Sequence, residues 1–461
     1  MKSQPQERTK SIGRVAVRTS DERLNKGIAW AKEQALSYVN DGDPVGKWYE
    51  AALPARESFC VRDVSHQSAG AYMLGLKDYT KNMLHKFAQH IAGERDWCTY
   101  WEMNKEDRPT PVDYTDDSDF WYNLPANFDF LHCCYREYMR TGDEDYLHHA
   151  VFTRFYDKSL TDYIEVWDKD GDGTPEHYAY YGRRGIASYV EDGLHPLVAG
   201  DLLAAQYAAF RAYAEMKRWC GQQEEAEKWL RKADDLQGQY ETEWWDEKAG
   251  RFSGCKLQDR SFHNDYYKSA NYLPLYFGFI GDSLKLKLAL EDAIRYDGYN
   301  VEEQSHLPDI CCKYGYRNQA MEQLLELTDE RLHRREYPEV SFAVMGAVYA
   351  GLLGIEPDAR ERTVATLPGL PDELGFIQAD AVPLFDGEID VRHEGCEASA
   401  MTNRCKHPIQ WTAKFPGEYE RLYVNGNPMP PAYERDWNGD VHSKITVVLK
   451  EGDTVQVKCH L

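Results

Sequence analysis

The chain has 461 residues, with 54 Lys and Arg against 77 Asp and Glu, for a formal net charge of −23. Hydrophobic residues make up 42% and charged residues 28%, a globular composition with enough apolar mass for one or two full cores. A chain this acidic is a poor partner for nucleic acid or an anionic membrane, since both are bound through basic surface. A polyanionic substrate is disfavoured on the same ground unless a local basic pocket exists.

The 12 Trp, 32 Tyr and 16 Phe argue against disorder, even at a mean hydropathy of −0.68. The opening MKSQPQERTK lacks an apolar h-region, and no later window has an uncharged apolar run long enough to span a bilayer. The 11 Cys include the adjacent pairs Cys133-Cys134 and Cys311-Cys312 but show no C-x-x-C or zinc-finger spacing. Buried, reduced thiols in a cytoplasmic protein are therefore expected.

After a short N-terminal arm, residues 1–20, the apolar spacing predicts a long succession of helices to about residue 356. DERLNKGIAWAKEQALSYV comes first, with Asp21 as N-cap. SHQSAGAYMLGL and DYTKNMLHKFAQHIAG follow, then NFDFLHCCYREYMRT, then a helix through VFTRFYDKSLTDYIEVW. Next come PLVAGDLLAAQYAAFRAYAEMKRWC, QEEAEKWLRKADDLQGQYETEWW and DSLKLKLALEDAI. NQAMEQLLELTDERLH and EVSFAVMGAVYAGLLG end the series. Helical hairpins in series form a solenoid or a closed ring, and no fixed-period repeat is present here, so a closed double ring, an (α/α)6 toroid, is expected over 21–356. Beyond Pro357, short alternating segments (EIDVRHE, IQWTAKF, RLYVNG, KITVVLK, DTVQVKCH) predict a small β-sandwich over 357–461.

Four stretches carry residue types suited to chemistry. PARESFCVRDVSHQ places Arg56, Arg62, Asp63 and His66 at a helix entrance, where an Arg-Asp pair can hold neighbouring sugar hydroxyls. The same stretch also reads as a local ion pair with Asp63 as N-cap. Residues 95–130 form a long aromatic and acidic connection with Trp97, Trp101 and Trp121, flat rings of the kind that stack on sugar faces. DKDGDGTPE offers Asp168, Asp170 and Asp172 as the front of a calcium loop, although Ala179 stands where the closing Glu belongs. Farther on, Glu191-Asp192 precedes a helix and fits a general acid. Finally, Glu339 leads the last long helix after Pro338, where the helix dipole should hold it ionised as a base, with Glu302-Glu303 as competitors.

These segments resemble the six-hairpin (α/α)6 glycoside hydrolases, a group that includes glucoamylases, α-L-rhamnosidases and bile-acid β-glucosidases. Arg62-Asp63 is similar to the Arg-Asp motif that binds the terminal sugar in glucoamylase-like enzymes. DKDGDGTPE is similar to a loop of the bile-acid β-glucosidases, and Glu339 resembles the glucoamylase base. The longer spacing after the loop leaves Glu176, Glu191 and Asp192 as candidates for the acid.

The resemblance implies an exo-acting, inverting hydrolase of oligosaccharides or glycosides. Such an enzyme needs no cofactor, with calcium at most structural, and engages neither nucleic acid nor membrane. Rival expectations are a sugar epimerase using two of His66, His195, His263 and His306, a lyase or unsaturated-uronide hydrolase, and a non-catalytic carbohydrate-binding protein.

Overall fold

A computed structural model of the chain describes residues 12–191 and 193–460. The principal helices are α1 (Glu22–Ser37), α2 (Val61–Met73), α3 (Lys77–Gln89), α4 (Ala126–Thr141) and α5 (Ala150–Leu160). They continue as α6 (Gly200–Trp219), α7 (Gln223–Glu243), α8 (Ser269–Tyr276), α9 (Ser283–Arg295), the one-turn α10 (Val301–Gln304) and α11 (Leu307–Lys313). The last are α12 (Arg317–Leu327) and α13 (Pro338–Gly346), which runs on as a π-helical segment, Ala347–Leu352.

Local chemistry explains several boundaries. Asp21 caps α1 by accepting from the Leu24 amide at 2.8 Å, and Gly142 ends α4 in the left-handed conformation. The start of α2 differs from expectation. It begins at Val61 with Cys60 as an N-cap that makes no side-chain bond, so Asp63 lies inside the first turn and does not cap it.

Packing follows burial. Residues of α2, α4, α6 and α13 are buried on nearly every face, whereas α7 buries only a stripe (Ala226, Trp229, Ala233, Leu236, Tyr240). The heavily buried helices contact one another in the order α2, α4, α6, α8, α11, α13, and α13 packs back against α2. The less buried α3, α7, α9 and α12 each lie against a member of that series, as α1 does against α13.

The return contact is made at glycine. A Cβ on Gly70 of α2 would stand 2.0 Å from the Phe342 carbonyl oxygen of α13, and one on Gly346 would stand 3.4 Å from the Gly70 amide nitrogen.

Among the described residues, twelve strands form two large sheets, and further short strands within the helical region form five small ones of two or three strands each. In chain order the twelve are β1 (Ala16–Thr19), β2 (Ile355–Asp358), β3 (Thr363–Thr366), β4 (Phe376–Leu384), β5 (Gly387–Glu394) and β6 (Ala398–Asn403). Then follow β7 (Ile409–Pro416), β8 (Leu422–Val424), β9 (Asn427–Met429), β10 (Ala432–Arg435), β11 (Val441–Leu449) and β12 (Thr454–Lys458). One sheet has the order β1-β4-β5-β6-β12-β8-β9 and the other β2-β3-β7-β11-β10. Alternation of buried and part-exposed residues along β4, β5 and β7 gives each sheet one core face. Seven of these twelve strands lie outside the segments expected from the sequence, among them β1, which falls in the N-terminal arm, and β4 and β6. β4 carries Pro383 and a bulge between Ala379 and Val382, and β6, ASAMTN, has little β-branched content. The predicted hairpin turn at Asn425-Gly426 joins β8 to β9, both residues having positive φ.

The eleven cysteines are free thiols, and no helix among the described residues is long and apolar enough to cross a membrane. Gly70→Ala is expected to destabilise the chain by about 2 kcal/mol or more, because a rigid carbonyl occupies the space the methyl needs. The urea unfolding midpoint checks this, and an unchanged midpoint would show that α2 and α13 can separate freely.

Candidate active site

The carboxyls converge because the helices start together. Arg62 and Asp63 occupy the first turn of α2, Glu339 the first turn of α13 and Glu302 the first turn of α10. Glu191 arrives on the connection before α6, which buried Asp201 fixes from within that helix. Its Oδ2 accepts from the Tyr189 amide at 2.7 Å, the Ser188 hydroxyl at 2.8 Å and the Ser269 hydroxyl at 2.9 Å. Nothing in the sequence pattern marked Asp201; only the three-dimensional return of the loop does.

Arg62 is the hub of the group. Its Nε lies 2.7 Å from Asp63, Nη1 3.2 Å from Glu191 and Nη2 3.5 Å from Glu302. The guanidinium also sits over the rings of Trp101 and Tyr189, at 5.6 and 5.7 Å from their centroids. Burial opposes its charge, but Asp63, Glu191 and Glu302 more than offset that and hold Arg62 charged.

Glu339 is 9% exposed, and its Oε2 has no hydrogen-bond partner among the described residues. Burial first, then Asp63 and Glu302, push its carboxyl well above the usual carboxylate range. The expectation that the helix dipole keeps Glu339 ionised therefore fails: desolvation and two like charges outweigh a half-charge at the helix end. Glu302 is raised as well, by burial first, with Arg62 working against the shift. Its neighbour Glu303 is occupied elsewhere, in a capping box with Asn300 and an ion pair with Lys268 at 3.3 Å. Of that pair, only Glu302 faces Arg62.

These carboxyls stand where two cavities meet. The larger, about 800 Å³, is lined by Arg62, Asp63, His66, Glu191, Glu302 and Glu339 at this end, and by Arg136 and the exposed Lys313 farther along. The smaller, about 250 Å³, shares Arg62, Asp63, Glu191, Glu302 and Glu339 and adds Arg56, Trp101, Glu102, Asp113 and Trp121. The larger volume suits a small ligand. Arg56 reaches Glu102 at 2.7 Å and Asp113 at 3.8 Å. Burial, followed by the Glu102 charge, lifts the Asp113 carboxyl to about 6.

One turn deeper, His66 Nε2 lies 2.6 Å from Asp129, which also accepts from the Tyr189 hydroxyl at 3.2 Å. His66 Nδ1 meets His306 Nε2 at 2.9 Å, and burial followed by His66 holds His306 well below the usual histidine range. Asp129, Tyr189, Tyr272 and Tyr276 were not singled out from the sequence. Asp129 is helical and buried with no local pattern to mark it.

Other candidates lie elsewhere. Trp97 lines neither cavity; its ring packs under Lys158 at 4.5 Å and against Gly93. Glu176 also lines neither, and its neighbours are Arg260 at 3.1 Å and the Lys169 amide at 3.1 Å. Carboxylate oxygens of Asp168, Asp170 and Glu176 lie within 4.8 Å of one another, and the cation against two of them is Arg260, 2.6 Å from Asp170. Asp172 turns away to accept from the Thr174 amide. Asp192 falls outside the described residues.

Residues 152–304 match the family model described as the mannosylglycerate hydrolase MGH1-like glycoside hydrolase domain. No curated protein matches the chain. Among solved structures, the α-L-rhamnosidase from Dictyoglumus thermophilum superposes with a TM-score of 0.63 at 15% identity, over 96% of this chain and 50% of that one. The GH78 family rhamnosidase of Bacillus sp. GL1 gives 0.60 at 14% identity, over 85% and 40%. A glycosidase in complex with glucose gives 0.50 at 13% identity, over 72% and 98%. The chain thus spans half or less of the length of the two rhamnosidases. Residues 152–304 are thus similar to a glycoside hydrolase domain, and the chain shares its fold with part of the two rhamnosidases.

Raised carboxyls make a definite pH signature. A carboxyl whose folded pKa exceeds its unfolded value opposes folding once ionised, and that penalty is relieved as pH falls. For Asp113 the window runs from about 6 down to about 4. Stability in urea is expected to rise from pH 7 to pH 5, and Asp113→Asn should flatten part of that rise. An identical profile in the variant would show that Asp113 does not titrate in this window.

Proposed function

We propose that the chain is an exo-acting, inverting glycoside hydrolase in which an (α/α)6 toroid spans most of residues 21–356 and a β-sandwich most of 357–461, the sandwich also taking in β1 and the first residues of β2. The terminal sugar enters the larger cavity, and its leaving group rests toward Trp101 and Trp121 in the smaller one. The observation that carries this reading is the gathering of Asp63, Glu191, Glu302 and Glu339 about one guanidinium at the junction of the two cavities. A pocket rather than an open groove favours removal of a terminal unit.

The environments of the carboxyls assign the roles in reverse of what the resemblance implies. Glu339, held high, is the proton donor to the glycosidic oxygen. Glu191, paired with Arg62 at 3.2 Å and 40% exposed at its side chain, is the carboxylate that takes a proton from water as the water oxygen bonds to the anomeric carbon. Asp63 and Glu302 accept from sugar hydroxyls. The step uses only these side chains and water. A calcium ion at Asp168, Asp170 and Glu176 would brace a loop away from the reaction and would share those oxygens with Arg260.

The histidine pair is the one feature that favours an epimerase. A proton exchange at carbon needs a base and an acid with that carbon between them, and His66 and His306 bond directly to each other at 2.9 Å. Hydrolysis accounts for more of the site.

A screen of aryl glycosides and natural disaccharides provides the test, with NMR of the first-formed anomer. Glu339→Gln is expected to lose roughly 10²–10⁴-fold on alkyl glycosides and disaccharides but far less on a dinitrophenyl glycoside, whose leaving group needs no proton. Glu191→Gln should lose similarly on all of them. In the wild type kcat/KM should fall as pH rises through the Glu339 pKa. Near-wild-type rates in both variants would overturn the assignment, and retention at the anomeric carbon would overturn inversion.

A further inference from the structure

Helical spacing places a stripe of polar and charged residues down the inside of the larger cavity. Asp129, His132, Arg136 and Arg140 recur every three or four residues along α4, and His306, Asp309 and Lys313 do so into and along α11. All but Asp129 line the cavity. Partners account for some of them: Asp129 is taken by His66 and Tyr189, and Arg140 by Glu137 at 2.7 Å.

Arg136 is different. Its Nη1 donates to the Tyr276 hydroxyl at 2.7 Å and Nη2 to the Ser65 carbonyl at 3.1 Å, both neutral acceptors. Its Nε is buried with no partner, and no carboxylate among the described residues lies within ion-pair distance of it. Lys313, which is exposed, donates among the described residues to backbone, chiefly the Tyr276 carbonyl at 2.7 Å. Buried polar atoms beside them are also unmatched: His132 Nδ1 and both ends of the Gln67 amide have no partner among the described residues. Asp309 faces the same space, one acid against two cations, and Glu356 turns to Lys414 at 3.6 Å. Arg136 is half-buried with its Nε wholly enclosed, and a guanidinium in that setting is costly unless an anion answers it; its remaining donors are shaped for a carboxylate.

We infer that this floor, built by Arg136, His132 and Lys313, is an oxyanion subsite that holds a carboxylate carried by the buried sugar. The inference rests on the hydrolase reading for its orientation, with the terminal sugar innermost. Depth agrees with it. Arg136 reaches the Ser65 carbonyl, which belongs to the same first turns of α2 as Asp63. One helical turn, about 5.4 Å, is of the order of one pyranose ring. The floor is the local basic pocket that an acidic chain needs in order to accept an acidic sugar. A free small anion offers the same chemistry, and the experiment separates the two.

Isothermal titration of the full chain with D-glucuronate, D-galacturonate, their parent hexoses, acetate and inorganic phosphate tests the inference. At least one hexuronate is expected to bind about tenfold or more tighter than its neutral parent, and Arg136→Leu should abolish that preference. Lys313→Met, on the cavity wall, should weaken it as well and serves if the Arg136 variant melts early by circular dichroism. Equal affinity for uronate and hexose, or a preference that survives both substitutions, would overturn the inference. Acetate or phosphate binding as tightly as the uronate and competing with it would overturn the sugar-borne source in favour of a free anion. Uronate binding without hydrolysis of any glycoside would sink the hydrolase reading and leave the subsite. Hydrolysis of neutral glycosides without a uronate preference would do the reverse.

Discussion

Four carboxyls and one guanidinium set the electrostatics where the two cavities meet. Arg62 spends its three nitrogens on Asp63, Glu191 and Glu302, and two aromatic rings close over its faces. Such an arginine cannot be a loose sugar hook. It is the post around which the acids are fixed, and any hydroxyl that reaches it must exchange with a carboxylate already there. One positive charge among four acids also means that not every acid can ionise together. Glu339, the most enclosed and the one without an ion pair to Arg62, is where the shortage of positive charge falls.

The backbone makes this convergence possible by small residues rather than large ones. Without a side chain at Gly70, the Phe342 carbonyl comes against α2, and the two helices that carry Asp63 and Glu339 are drawn together one turn above. Asp201 performs the matching task for Glu191 by gathering the preceding loop onto the start of α6. Packing and pKa are thus linked: the close approach that completes the series of inner helices also strips water from Glu339.

Much of this was legible from the residues. Apolar spacing gave most of the helices and alternation gave five strands of the second half, because those signals are local; α8 was missed, because it is short and buried on every face and so has no amphipathic period. Arg62, Asp63, Glu191 and Glu339 stood out as charged residues at helix entrances, and the entrances share one end of the cavity. What local reasoning missed was set by neighbours far along the chain. The ionisation of Glu339 depends on Asp63 and Glu302, and its position in the first turn pointed the wrong way. Trp97 and Trp101 are four residues apart and equally aromatic, yet one packs under Lys158 while the other covers Arg62. β4 hid behind Pro383 and a bulge, and its partner on one side is β1, at the other end of the described chain.

That last pairing has a consequence for how the molecule is assembled. Arg18 and Asp380 meet across 362 positions, so β1, although made before the helical region, has no sheet to join until that region has been made and brought its flanks together. The strand acts as a latch across the β4 edge. Until it is set, the backbone of β4 is an open sheet edge, available to the same strand of another copy. The order of synthesis thus makes the period before closure the time when this protein is most exposed to self-association.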